Sequence, residues 1–205
     1  MITAKKLKEM YKPGTPIFIE DVESDFDYTK DTIRKSMSLL FKAGDIRRFS
    51  RGVYYIPEKT IFGDSKLNPD KVIVVKYLGQ GKRASGVYAG ITLLNKLRLT
   101  TQVPNVIEVV TNNETNRKRE ITVGKQRLIL RKARVEINSE NARLIEVLEA
   151  IKTLKTIQND QIGKITSYIK ENNIRRNELD KILVSYPKNV YKKLVESGII
   201  DEFAS

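Results

Sequence analysis

The stretch FKAGDIRRFSRGVYYIP (residues 41–57) ends an apolar, helix-like run at Gly44 and then sets three arginines, Arg47, Arg48 and Arg51, within five positions. A surface loop does not need that much like charge in so short a span. "DIRRF" and "GVYYIP" read as two short strands with "SRG" turning between them, and Gly52 tolerates the positive φ that such a turn often demands. The result is a cationic hairpin fused directly to the end of a helix.

That helix is predicted over "YTKDTIRKSMSLLFKAGDI". Ile33, Met37, Leu40 and Phe41 recur at the spacing of one buried helical stripe. Thr29 suits the start and Gly44 the left-handed stop. Lys30, Arg34, Lys35 and Ser38 face away from the stripe, with Thr32 at its edge. Upstream, "ITAKKLKEMY" puts Ile2, Leu7, Met10 and Tyr11 on one side of a first helix, which "KPGTP" breaks. "IFIEDVESDFD" is consistent with either a strand or a helix start. Helices followed by a polar-faced helix and a basic hairpin outline a winged helix-turn-helix over residues 1–57. Its helix would enter the major groove, and its wing would bring Arg48 and Arg51 to phosphates or the minor groove. The acidic cluster Glu20, Asp21, Glu23, Asp25 and Asp27 is expected to face away from the duplex.

Bulk composition agrees with a polyanionic partner. The 205 residues carry a formal net charge of +13, with 40% hydrophobic and 31% charged side chains, which reads as globular. Residues 71–135 concentrate the excess, with 14 basic against 3 acidic side chains, whereas residues 136–205 balance at 11 against 11. No stretch has the length and apolar character of a membrane span, and "MITAKKLKEMYK" lacks the apolar core of a secretory signal. Cysteine is absent, so nothing asks for an oxidising compartment. The expectation is a soluble cytoplasmic protein without a membrane partner.

Enzymatic chemistry finds little footing. Without histidine or cysteine, the commonest general base, the thiol nucleophile and the usual zinc ligands are missing. "GQGKRASG" (79–86) is glycine-rich but lacks the order of a phosphate-binding loop. Glu108, flanked by valines, is the one acid worth inspection, and a surface-facing strand position accounts for it. No enzyme, cofactor or metal is expected.

Residues 58–205 read as a second domain, with an α+β core over about 67–155 and a helical tail over 156–205. "LNPDKVIVVKYLG" offers Asn68 as a cap, Pro69 at the first helical position and Val72, Val75 and Leu78 as buried residues. "SGVYAGITLLNKLRL" is predicted as a helix with Ser85 capping it and Tyr88, Ile91, Leu94 and Leu97 as its stripe. Strands are predicted at "VIEVVT" (106–111), "REITVG" (119–124) and "RLILRKARVEI" (127–137), with "NNETNRK" as a hairpin loop. A helix capped by Ser139 follows. Arg117, Lys118, Arg119, Lys125, Arg127, Arg131, Lys132 and Arg134 form either a strand edge blunted against aggregation or a second binding surface. Leu128 and Leu130 share parity with Lys132 and Arg134, so these cations do not fall on one face. The tail's balanced charge points to packing against the central domain.

"AGDIRRFSRGVYYIP" followed by "SGVYAGITLLNKLRLTTQVPNVIEVVT" resembles the AbiEi antitoxins of type IV abortive-infection systems. The similarity covers about residues 1–155. Arg98 departs from it, standing where glycine is expected before Leu-Thr-Thr-Gln, and must either take a less favourable backbone or end the helix differently there. The resemblance implies an α+β protein with an amino-terminal winged helix-turn-helix, a mixed α/β antitoxin domain and a helical tail. It implies repression of the protein's own operon through promoter inverted repeats in double-stranded DNA. It further implies action against a nucleotidyltransferase-like toxin without a stable direct complex. On the DNA side it carries over Lys30, Thr32, Arg34, Lys35 and Ser38 on the reading helix and Arg47, Arg48, Ser50 and Arg51 on the wing. The competing reading is an RNA-binding or protein-interaction module that uses the basic middle domain.

Overall fold

The computed structural model describes residues 1–61, 63–79 and 83–203 of a mixed α+β chain. Residues 80–82, inside the glycine-rich "GQGKRASG", lie outside the described residues. The chain forms two compact units, Met1–Val75 and Lys76–Ser205. The expected boundary at 57/58 therefore moves downstream. The reason is a set of ties from residues 58–75 back into the first unit. Asp64 holds Arg47 at 2.7 Å, and the Lys71 ammonium donates to the Gly14 carbonyl at 2.9 Å.

In the first unit, α1 (Ala4–Met10) starts at Thr3, whose hydroxyl accepts from the Lys6 amide. The ambiguous stretch after it is both things in turn: β1 (Ile17–Phe18), then α2 (Ile19–Asp25). The helix α3 (Lys30–Ala43) has the predicted ends, with Thr29 accepting from Thr32 N–H and Gly44 in the left-handed conformation at φ +82°. Two strands follow, β2 (Arg47–Ser50) and β3 (Val53–Tyr55), and β3 lies between β1 and β2 in one antiparallel sheet. Beyond it β4 (Lys59–Thr60) and β5 (Gly63–Asp64) form a small ribbon. The core joins Ile2 and Leu7 to Ile17, Val22, Ile33, Met37, Leu40, Ile46 and Ile56. Two expected stripe members are outside it. Phe41 is 43% exposed because it lies a third of a turn from Leu40, on the flank carrying Lys30 and Arg34, and Met10 is exposed in the same way. Buried Ser36 replaces an apolar residue in the stripe, its hydroxyl donating to the Thr32 carbonyl and accepting from Ile2 N–H.

The helix α4 (Pro69–Ile73) begins as predicted, with the Asn68 side chain accepting from Asp70 N–H and Pro69 at the first position. A π-helical turn, Val74–Leu78, continues it. Its wider winding shifts the register, so Leu78 is buried but Val75 is 45% exposed.

The second unit departs further from expectation. "GVYA" is a strand, β6 (Gly86–Ala89), and only α5 (Gly90–Lys96) is helical. Val87 and Tyr88 pair with Val110 and Val109, and Gly90 at φ +57° ends the strand. The sheet continues with β7 (Ile107–Thr111), β8 (Arg119–Val123) and β9 (Gln126–Lys132), in spatial order β6-β7-β9-β8. Because β7 and β9 are parallel neighbours, "NNETNRK" is a crossover and not a hairpin loop; the hairpin joins β8 to β9. On this sheet packs α6 (Ala142–Thr153), whose first residue follows Asn141 and not the expected Ser139. The tail, α7 (Asn159–Glu171), α8 (Arg176–Leu183) and α9 (Lys188–Glu196), is helical as expected and shares one core with α5 and α6. Leu144, Leu148 and Ile151 of α6 sit in that core with Ile165, Leu179, Val190 and Leu194.

Of the two alternatives for Arg98, the structure has the less favourable backbone, left-handed at φ +57°. An L-residue pays about 1–2 kcal/mol there, of which glycine would return part in unfolded-chain entropy. Arg98→Gly is therefore expected to stabilise the fold by about 0.5–1 kcal/mol. Chemical denaturation of the two proteins side by side checks this, and a less stable variant would show that the side chain contributes more than the backbone costs.

Candidate nucleic-acid interface

The outward face of α3 is built by default: once Ile33, Met37 and Leu40 turn inward, Lys35 and Ser38 must point to solvent, and both are exposed. Lys42 joins them, four residues after Ser38 and seven after Lys35, and is also exposed. Its place on that face follows from the helical spacing alone. Thr32 is half-buried and its hydroxyl is 2.9 Å from that of Thr29, within the cap.

Lys30 and Arg34 sit on the flank facing α2. Glu23, 16% exposed, lies 3.7 Å from the Lys30 ammonium and 3.7 Å from the Arg34 guanidinium. The acidic cluster therefore does not turn wholly away from the basic face; one member is set between two of its cations. Asp25 instead accepts from the Tyr11 hydroxyl at 2.5 Å.

On the hairpin the three arginines have different environments. The guanidinium of Arg47 is held by Asp64 and by the Gly44 carbonyl, which makes it a tie between helix end, strand and ribbon. Lys59 on the other side of Asp64 completes the group, and these cations hold the Asp64 carboxyl below its ordinary range. Arg48 and Ser50 are exposed, with Arg48 Nε donating to the Ser50 carbonyl at 3.3 Å. A bulge at Phe49 separates their pairings with Tyr54 and Val53. Arg51 is exposed in the turn, beside Gly52 at φ +76°. Among the described residues, Lys35, Lys42, Arg48 and Arg51 have no carboxylate within ion-pair distance.

The eight candidate cations of the second unit divide evenly between engaged and free. Arg119 pairs with Glu114, Arg127 with Glu120 and Arg131 with Glu108. Arg134 donates to the Ser185 carbonyl and lies over the Tyr186 ring. Arg117, Lys118, Lys125 and Lys132 remain exposed without a carboxylate partner among the described residues. The parity conflict in "RLILRKAR" is resolved for Arg134, since β9 ends at Lys132 and alternation no longer governs it; Lys132 itself is exposed at the last position of the strand, on the parity of buried Leu128 and Leu130. Glu108 is not the surface residue expected but half-buried, its carboxylate accepting from Arg131 Nη2 at 2.9 Å.

Residues 3–182 match a family described as a family of unknown function, DUF6088. The chain belongs to DUF6088. That match runs through both units of the DUF6088 chain and ends within α8. No curated protein matches the chain. Among the described residues, no helix is long and apolar enough to cross a membrane, and no cluster of three or more acidic side chains could hold a metal ion.

Glu114 was missed in the sequence, hidden in a polar loop. Burial pushes its carboxyl up, but the Asn116 and Thr115 amides and the Arg119 guanidinium outweigh that and hold it below the usual carboxylate range. A carboxyl lowered in the folded state adds stability that is present above its unfolded value, about 4.3, and lost as pH falls through the folded one. Urea midpoints measured from pH 7 to pH 3 should fall for the native chain and fall less for Glu114→Gln, which starts from a lower value at pH 7.

Proposed function

We propose that the first unit is a winged helix-turn-helix that binds double-stranded DNA. In this reading α3 lies in the major groove and the β2–β3 hairpin is the wing. The observation that carries it is that four exposed cations without a carboxylate partner among the described residues, Lys35 and Lys42 on α3 and Arg48 and Arg51 on the hairpin, lie on two elements joined at Gly44. These are the two elements that such a domain presents to a duplex. Arg47 then acts by fixing the hairpin to the helix, while Ser50 is free to meet a phosphate.

The resemblance to AbiEi antitoxins extends the proposal to biology. The chain would be the antitoxin of a type IV toxin–antitoxin system in the cytoplasm, repressing its own operon through inverted repeats. The second unit would counter a nucleotidyltransferase-like toxin without a stable complex. Inverted repeats would seat two copies per operator.

Mobility shifts on the DNA upstream of the gene test the first part. A defined shift is expected, and Arg48→Ala plus Arg51→Ala should weaken it by about tenfold or more. That variant should also make the salt dependence shallower by about 0.9 per lost phosphate contact. Equal affinity for scrambled duplex would overturn sequence-specific repression. A shift that survives the wing variant but disappears with Lys118→Ala plus Lys125→Ala would move the contacts to the second unit and favour the RNA- or protein-binding reading.

Glu23 gives a separate expectation. Glu23→Gln frees Lys30 and Arg34 and should tighten duplex binding about two- to fivefold, the scale of an exposed ion pair. Weaker binding would mean that Glu23 orients those cations and does not restrain them.

A further inference from the structure

We propose that the cleft between α6 and the face of the sheet carrying Glu108 and Arg131 binds a nucleoside di- or triphosphate. This concerns the second unit alone and is independent of the DNA reading.

Along α6, Ala142 and Ile145 pack with Val87, Ala89 and Val110 in an apolar helix–sheet contact. One turn further the same stripe carries Glu149, whose side chain is 2% exposed, and then Lys152 and Thr153. The sheet changes with it, for beside Ala89 and Val110 stand Glu108 and Arg131. An apolar contact thus becomes charged on both walls at one place. Burying a carboxylate costs several kcal/mol unless it is paired, and leucine would close the same contact at no such cost. The walls do not close at all: a cavity of about 740 Å³ lies between them. That is within the range of about 300–1,000 Å³ usual for small-molecule sites.

The walls are held in place by their own contacts. Glu149 pairs with Lys152 and lies near the hydroxyl of Tyr186, against whose ring Arg134 stacks at 5.7 Å from the centroid. Glu108 accepts from Nε and Nη2 of Arg131 at 3.2 and 2.9 Å. Gly90, at φ +57°, makes room for that carboxylate, since a Cβ there would stand 2.3 Å from Glu108 Oε1.

The chemistry of the lining selects the ligand. Five cations against two carboxylates leave a net positive cleft, and Arg117 and Lys132 have no carboxylate partner among the described residues. Those two are the groups open to phosphate oxygens. Glu108 and Glu149 oppose a bare polyphosphate but accept from the N–H and O–H groups of a base and sugar.

Isothermal titration of the full chain with ATP, GTP and inorganic pyrophosphate, at about 150 mM salt to screen diffuse attraction, tests the proposal. At least one nucleotide should bind about tenfold or more tightly than pyrophosphate. Arg117→Ala plus Lys132→Ala should weaken it about tenfold or more. Lys118→Ala plus Lys125→Ala removes the same charge outside the cleft and should change nothing. Equal losses in the two variants would reduce the binding to net charge and overturn the site. So would no heat with either nucleotide at millimolar concentration, or pyrophosphate binding as well as ATP. A single-stranded decamer that binds through Arg117 and Lys132 where nucleotides fail would overturn it in favour of a nucleic-acid strand.

Discussion

A carboxylate drawn out of water keeps its cation, and this constraint organises the surface of a chain that carries +13. Each acid that the fold tucks in engages one or two basic side chains. Glu23 engages Lys30 and Arg34, Asp64 engages Arg47 and Lys59, and Glu114 engages Arg119. What remains outward is decided by subtraction. In the first unit that remainder includes Lys35 and Lys42 on the outer face of α3 and Arg48 and Arg51 on the β2–β3 hairpin, beside the lysines of α1. The cations nearest a buried acid hold the architecture together, and those farthest from one are available to a polyanion.

The same constraint gives the second unit its character. Its tail helices and α6 pack through leucine and isoleucine with few polar interruptions. The exception is the far end of the α6–sheet contact, where Glu149 and Glu108 replace apolar side chains and a cavity opens. Each carboxylate there is matched by a cation on its own wall, so the cleft keeps its shape without a ligand while its surplus stays positive. Gly90 serves the same end by leaving space for the Glu108 carboxylate.

Local rules read α3 well. Its caps at Thr29 and Gly44, its stripe of Ile33, Met37 and Leu40, and its outward Lys35 and Ser38 follow from 3.6-residue periodicity and terminal chemistry alone. Asn68, Pro69 and the turn at Gly52 are equally local. Arg98 shows the limit of such rules, because the glycine that similar sequences would place there left open whether the backbone or the helix end would give way, and the backbone does, at φ +57°.

The remainder lay between segments distant in the chain. "GVYA" has no local reason to be extended until Val109 and Val110 stand beside it. "NNETNRK" looks like a hairpin loop until β9 inserts between the strands it joins. No periodicity could announce that Glu23 would reach two cations of the next helix, or that Asp64 would claim Arg47. By itself the sequence determined where helices start and stop, which helix face is apolar, and that the chain is strongly basic, because those properties act over a few residues or over the whole composition. Only the tertiary structure decided which cations are neutralised and where two charged walls face each other, because ion pairing and burial depend on distances that chain separation does not encode.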